Sequence, residues 1–209
     1  MSVTVITIAP DVSRCHHYHR RMARWQPNAP GRLEEAALEL YGERGFEQTT
    51  VAEIAERAGL TERTFFRHYT DKREVLFAGA GGLQELLVQT VVGAPDSAAP
   101  IDAIATALEA AAALLQERRE FALLRQAVIA TNSELQEREL IKLATLSAAL
   151  AEALRRRGVK DLTASLAAEA GIAVFKVAFE RWVDKTNRRD FPQLIRDSLK
   201  QLGDVTTAK

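Results

Sequence analysis

Two helical segments too short to be stable alone follow one another across a single glycine, and this limits the possible folds more than any other feature of the chain. The first carries Val51, Ile54, Ala55 and Ala58 at the i, i+3, i+4, i+7 spacing of one apolar stripe. Thr50-Val51-Ala52-Glu53 ahead of it reads as a capping box, in which hydroxyl and carboxylate satisfy each other's backbone donors. Gly59-Leu60 ends it, because glycine takes the left-handed backbone angle that a tight turn needs, and Thr61 caps a second segment running through Tyr69. Isolated helices shorter than about 12 residues are marginal in water, so both need a neighbour to bury against. The neighbour precedes them: from Pro30, a suitable first-turn residue, Leu33, Ala36, Ala37, Leu40 and Tyr41 recur at helical spacing up to Gly45, with Phe46 placed to fold back onto the last turn.

A helix, then two short helices joined by a glycine turn, is the helix-turn-helix arrangement that presents its last helix to a DNA major groove. Ala55 is small where the short helices cross, and Phe65 supplies the apolar plug that fixes the last one. At about 100° per residue, Phe65, Phe66 and Tyr69 fall within one third of the circumference, which predicts a core face. Thr61, Arg63, Thr64, Arg67 and His68 occupy the opposite arc. Arginine matches the two major-groove acceptors of guanine, threonine meets a base edge or a thymine methyl, and Glu62 can accept from a cytosine amine. Thr50, His68 and Lys72 suit phosphates, with helix N-termini adding to the attraction. Acidic residues outnumber basic ones from Arg32 to Glu74, but they cluster on the first two helices, so local rather than net charge decides.

The segment Thr49-Thr50-Val51-Ala52-Glu53-Ile54-Ala55-Glu56-Arg57-Ala58-Gly59-Leu60-Thr61-Glu62-Arg63-Thr64-Phe65-Phe66-Arg67-His68-Tyr69-Thr70-Asp71-Lys72 closely resembles the DNA-binding signature of the tetracycline-repressor (TetR) family. The resemblance covers roughly residues 33–77; beyond them it lies only in helix number, length and order. It implies that Thr50, Thr61, Thr64, His68 and Lys72 hold phosphates, while Glu62, Arg63 and Arg67 stand where members usually read bases. Many members carry tyrosine where this chain has Phe66, so one hydroxyl contact to DNA is missing.

The rest of the chain alternates Ala/Leu-rich runs with short breaks, and about nine helices and no strand are expected, an all-α protein. A fourth helix is expected to open at Asp71 to Glu74, weakened by Gly79, Gly81 and Gly82. Later starts match capping patterns at Ser133 with Gln136 and Asp190 with Gln193, and Asp161 is a further cap. The organisation expected is an arm over 1–29, a DNA-binding domain over 30–77 and a helical effector-binding and dimerisation domain over 78–209. The arm has no helical period; its four arginines (Arg14, Arg20, Arg21, Arg24) suit a minor groove less well than simple disorder, and Met22 offers a second start for translation.

Several function classes are disfavoured. Lys plus Arg (28) equals Asp plus Glu (28), unlike a generic nucleic-acid coat or membrane-surface binder. The single Cys15 cannot form an intramolecular disulfide, no stretch approaches the roughly 20 apolar residues of a membrane span, and no export signal is legible, so a cytoplasmic location is expected. Cys15-His16-His17-Tyr18-His19 has poor spacing for a metal, so neither metal nor cofactor is expected. No catalytic motif stands out, and Arg125, Glu169, Glu180 and Asp184 form no convincing group, which reads against an enzyme.

Family resemblance gives the C-terminal half its expected roles. Leu162, Leu166, Ala170, Ala173, Val174, Val177 and Ala178 line one side of a long helix, and Leu194, Leu199 and Leu202 mark a final one. In the family these last two helices pair with their copies in a second subunit, which implies a homodimer and an inverted-repeat operator in double-stranded DNA. The family also implies a cavity for a small-molecule effector. Phe121, Phe175, Phe179 and Trp182 are candidates to line it, with Arg125 as a polar anchor, and their character suits an apolar or acyl-bearing ligand. The contrasting possibility is a helical binding module that no longer binds DNA.

Overall fold

The computed structural model describes residues 29–207. Among them are nine α-helices and no strand: α1 (Ala29–Arg44), α2 (Val51–Arg57), α3 (Glu62–His68), α4 (Ala80–Val92), α5 (Pro100–Gln116), α6 (Arg119–Ala130), α7 (Ser133–Arg156), α8 (Asp161–Trp182) and α9 (Phe191–Thr207), with a 3-10 turn (Glu74–Phe77) between α3 and α4. The all-α expectation is met. The expected arm lies outside the described residues except for Ala29, which opens α1; the Cys15 to His19 run, the four arginines and Met22 lie outside them too.

Helices α1, α2 and α3 close around Leu33, Leu40, Ile54 and Phe65, all essentially fully buried. Tyr41 packs edge-on against Phe46 at 5.2 Å between ring centres, so the residue after the helix does fold back. Gly45 and Gly59 take positive φ values of 85° and 63°. At Gly59 the space is restricted as well: the Arg32 guanidinium donates to the Ala58 and Gly59 carbonyls, and a Cβ on Gly59 would lie 2.7 Å from Arg32 Nη2. This first core does not end with the short helices. The 3-10 turn contributes Val75, Leu76 and Phe77, and Val128 and Ile129 of α6 and Leu135 of α7 join it.

A second core unites α4, α5, α7, α8 and α9. Helix α5 presents Ala103, Ala107 and Ala111, all fully buried, and small residues of this kind permit close helix approach. Its counterpart on α8 is Gly171, where a Cβ would run into Ile104 Cγ2. Trp182 and Phe191 stack at 4.6 Å and close the end of this core.

Several expectations are corrected. The fourth helix does not open at Asp71: the Asp71 carboxylate accepts from the Arg73 and Glu74 amides, but the turn it starts is 3-10, and α4 begins only at Ala80, after Gly79. Helix α7 is capped by Asn132, whose side chain accepts from Leu135, not by Ser133 one residue later. Helix α8 has Lys160 at its N-cap position with no side-chain cap bond, and Asp161, one residue later, accepts from Arg155 Nε at 2.7 Å; the side-chain amide of Gln193 donates to Asp197. The apolar stripe on α8 is divided. Val174 and Ala178 are buried with Ala164, Ala168 and Trp182, whereas Leu162 (71% exposed), Leu166 (62%) and Val177 (43%) face outward with Ala173. By length and mean hydropathy alone, Glu74–Val92 and α8 are apolar enough for a membrane span, but the first is a 3-10 turn joined to α4 through Ala78 and Gly79. In the fold the inner face of α8 is core, which accounts for its apolar character.

Candidate nucleic-acid interface and ligand cavity

The face that α3 shows to solvent is set by three local contacts. Thr50 caps α2 in a complete capping box, accepting from the Glu53 amide while the Glu53 carboxylate accepts from the Thr50 amide. These contacts, the Thr50 amide first, hold the Glu53 carboxyl below the usual range. Thr61 caps α3, accepting from the Thr64 amide at 3.2 Å, with the two hydroxyls 3.1 Å apart. Phe65, fully buried, and Tyr69 then fix the roll of α3, which leaves Glu62, Arg63, Arg67 and His68 exposed together on its outer side.

Charge on this face is local. Arg57 binds Glu39 (3.2 Å) and Glu43 (2.9 Å), and Arg44 binds Glu53 (2.6 Å), so three of the acids of α1 and α2 are matched by arginines of the same two helices. The hydrogen bond from Arg57 holds the Glu43 carboxyl below its ordinary range. Arg63 and Arg67 have no carboxylate partner among the described residues; Arg67 contacts only the His68 ring, at 3.4 Å. Two free guanidiniums on an exposed helix suit bidentate contacts to base edges.

Two placements differ from expectation. Phe66 is 55% exposed, not core, because Phe65 and Tyr69, one turn apart, fill the contact with α1 and turn Phe66 out beside Arg63. Its phase three residues from Arg63 carried that signal. Lys72 points inward. Its ammonium donates to the carbonyls of Phe46 (2.9 Å), Glu47 (3.2 Å) and Thr49 (3.0 Å) and sits 4.4 Å from the Phe46 ring centre. The Tyr41 hydroxyl donates to the Lys72 carbonyl at 2.7 Å, so this residue buckles α1, the loop before α2 and the segment after α3 together.

A cavity of about 330 Å³ lies where the two cores meet, enclosed by the 3-10 turn and α4 with α5, α6, α7 and α8. That volume falls within the range of small-molecule sites. Of the candidate residues, Phe121, Arg125, Phe175 and Phe179 line it; Trp182 does not. Its indole is fully buried against Phe191 and donates to Gln116 at 3.0 Å, which makes it core. Arg125 is committed to the wall, donating to the Leu76 carbonyl (2.7 Å) and to Glu139 (2.9 Å), with burial lowering its proton affinity. Sequence reasoning missed Gln126, whose amide oxygen is buried without a hydrogen-bond partner, and the cross-link from Arg118 to Glu34 of α1 at 3.1 Å. The signal for Gln126 was present in the chain: it lies one turn from the buried Ala122 on α6.

A sequence model described as "Bacterial regulatory proteins, tetR family" matches residues 33–78, and one described as "MftR C-terminal domain" matches residues 98–207, just over half of the chain. The chain belongs to the TetR family. Among its relatives is the HTH-type transcriptional regulator TcmR of Streptomyces glaucescens, 34% identical over 98 residues, which cover 42% of this chain and 43% of TcmR. The chain thus spans less than half the length of the curated relatives it matches. Solved TetR-family folds agree along most of the chain. The Thermus thermophilus FadR, a repressor in complex with lauroyl-CoA, is 23% identical with a TM-score of 0.54, over 86% of this chain and 96% of that one. The Bacillus subtilis FadR in complex with stearoyl-CoA is 23% identical with a TM-score of 0.56, over 82% and 96%. At these identities the likeness is one of fold.

Proposed function

We propose that this TetR-family protein is a cytoplasmic, ligand-responsive repressor that binds a palindromic operator in double-stranded DNA as a homodimer. The observation that carries the reading is the outer face of α3, where Arg63 and Arg67 stand exposed and without carboxylate partners among the described residues. In this reading Glu62, Arg63 and Arg67 read bases, Phe66 packs against a thymine methyl or a sugar, and Thr50, Thr61, Thr64 and His68 contact the phosphates. The DNA-binding unit is residues 30–77 and the sensing and pairing unit residues 78–209. Dimerisation is supported by the outward apolar side of α8, Leu162, Leu166, Ala173 and Val177, continued on α9 by Val205, which is 71% exposed. The effector is an apolar or acyl-bearing molecule, supported by the aromatic and aliphatic wall of the cavity and by the acyl-CoA complexes of the two FadR proteins. Filling the cavity shifts the 3-10 turn and α4, which form one wall of it, and so changes the spacing of the two α3 helices and lowers DNA affinity.

Fluorescence anisotropy of the purified protein against the DNA beside its own gene, across a salt series, tests this. Saturable binding to one fragment, falling steeply with salt and lost in an Arg63→Ala/Arg67→Ala variant, is expected. Weak binding indifferent to fragment and to substitution would overturn the reading.

A further inference from the structure

We propose that Gln126 sets the specificity of the cavity, and that the occupant is an apolar molecule carrying a neutral hydroxyl or amide group that pairs with it. The inference rests on reading the cavity as the effector site. Most of the wall is apolar, including Val75, Leu83, Leu115, Leu143 and Phe175. Three of its cations are engaged elsewhere: Arg118 with Glu34, Arg125 with Glu139 and the Leu76 carbonyl, and Lys142 with Glu74. Lys176 and Glu180 lie on the exposed rim.

What remains inside is the Gln126 amide, its oxygen buried and unpartnered. A buried amide oxygen without a partner is costly, and most such atoms in native proteins are satisfied. A ligand that completes this one recovers that cost; a ligand that cannot is penalised by it. An anion or cation placed there would need a counter-charge, and the nearby wall charges are already paired. A hydroxyl or an amide carries the donor that the Gln126 oxygen lacks, which an ether or an ester does not.

The test is calorimetric titration of the full chain with 1-octanol and with its isomer methyl heptyl ether, which match in atoms and bulk but differ in the donor. Each is repeated on Gln126→Leu and on Gln126→Met, with a thermal melt to confirm folding. The wild-type preference for the alcohol over the ether is expected to drop about tenfold to hundredfold in either variant. An unchanged preference, with both compounds still binding, would overturn the role of Gln126 and leave the cavity as a ligand site. Failure of both compounds to bind the wild type would overturn the cavity reading and the proposal with it.

Discussion

Replacing Lys72 with methionine separates two roles, since sequence places the residue at a phosphate contact while the fold aims its three donors at the carbonyls of Phe46, Glu47 and Thr49. Methionine keeps much of the stem's length and apolar packing and removes the donors. A hydrogen bond from a charged donor contributes about 1.5–3 kcal/mol, but three bonds to one part-buried ammonium do not add, and water replaces the most exposed of them. The loss is therefore about 2–3 kcal/mol, and at about 2–4 °C per kcal/mol for a chain of this size Tm falls by about 4–12 °C. The DNA readout is independent. The dependence of log affinity on log salt has a slope of about 0.9 for each phosphate neutralised, so two Lys72 contacts in the proposed dimer would contribute about 1.8. A thermal melt paired with an anisotropy salt series is expected to give a lower Tm and an unchanged slope. A slope reduced by about 1.8 with Tm unmoved would refute the buckle and restore the phosphate contact.

Two further substitutions probe the interior. Gly171→Ala drives a methyl into Ile104; overpacking costs about 1–3 kcal/mol and alanine returns about 1 kcal/mol of helix propensity, so a net loss of up to about 2 kcal/mol is expected by urea unfolding, and in a double-mutant cycle with Ile104→Ala, itself destabilising, the combined loss is expected to be smaller than the sum of the two. Glu74 is held below the ordinary glutamate range, chiefly by its hydrogen bond from Arg138 and then by Lys142. Its folded-state pKa is depressed, so its contribution is present above the unfolded value near pH 4.3 and is lost as pH falls through the lower, folded one. Glu74→Gln should therefore be about 1–2 kcal/mol less stable at pH 7, with the gap closing in acid; a gap constant from pH 7 to pH 3 would refute the ion-pair origin.

The DNA-binding half was the more legible part of the chain because its determinants are local. The hydroxyls of Thr50 and Thr61, the positive φ at Gly59 and the plug at Phe65 each act within a few residues, so their spacing alone specifies the turn. Phe66 was misplaced because α3 and its C-cap seat only Phe65 and Tyr69 in the core, and which aromatics are chosen depends on α1. Lys72 was misplaced because its partners lie 23 to 26 residues earlier. On α8 the apolar residues occupy two faces, and periodicity cannot say which face its own chain will cover. Trp182 was drawn into the cavity for its aromatic character, although it sits one turn past Phe179 and meets Phe191 of α9 instead.

Helix α6 belongs to both cores at once, with Ala122 in the larger one and Val128 and Ile129 in the smaller. At 12 residues it is about 18 Å of rigid rod, anchored at each end in a different body. A hybrid that grafts residues 30–77 onto another protein's sensor would therefore carry away an incomplete unit, open where Val128, Ile129 and Leu135 had sealed it. The smallest portable piece is discontinuous in sequence: the three N-terminal helices together with the corner between α6 and α7. In this chain a transplanted DNA-binding segment keeps its core sealed only with that corner, or with one of matching shape.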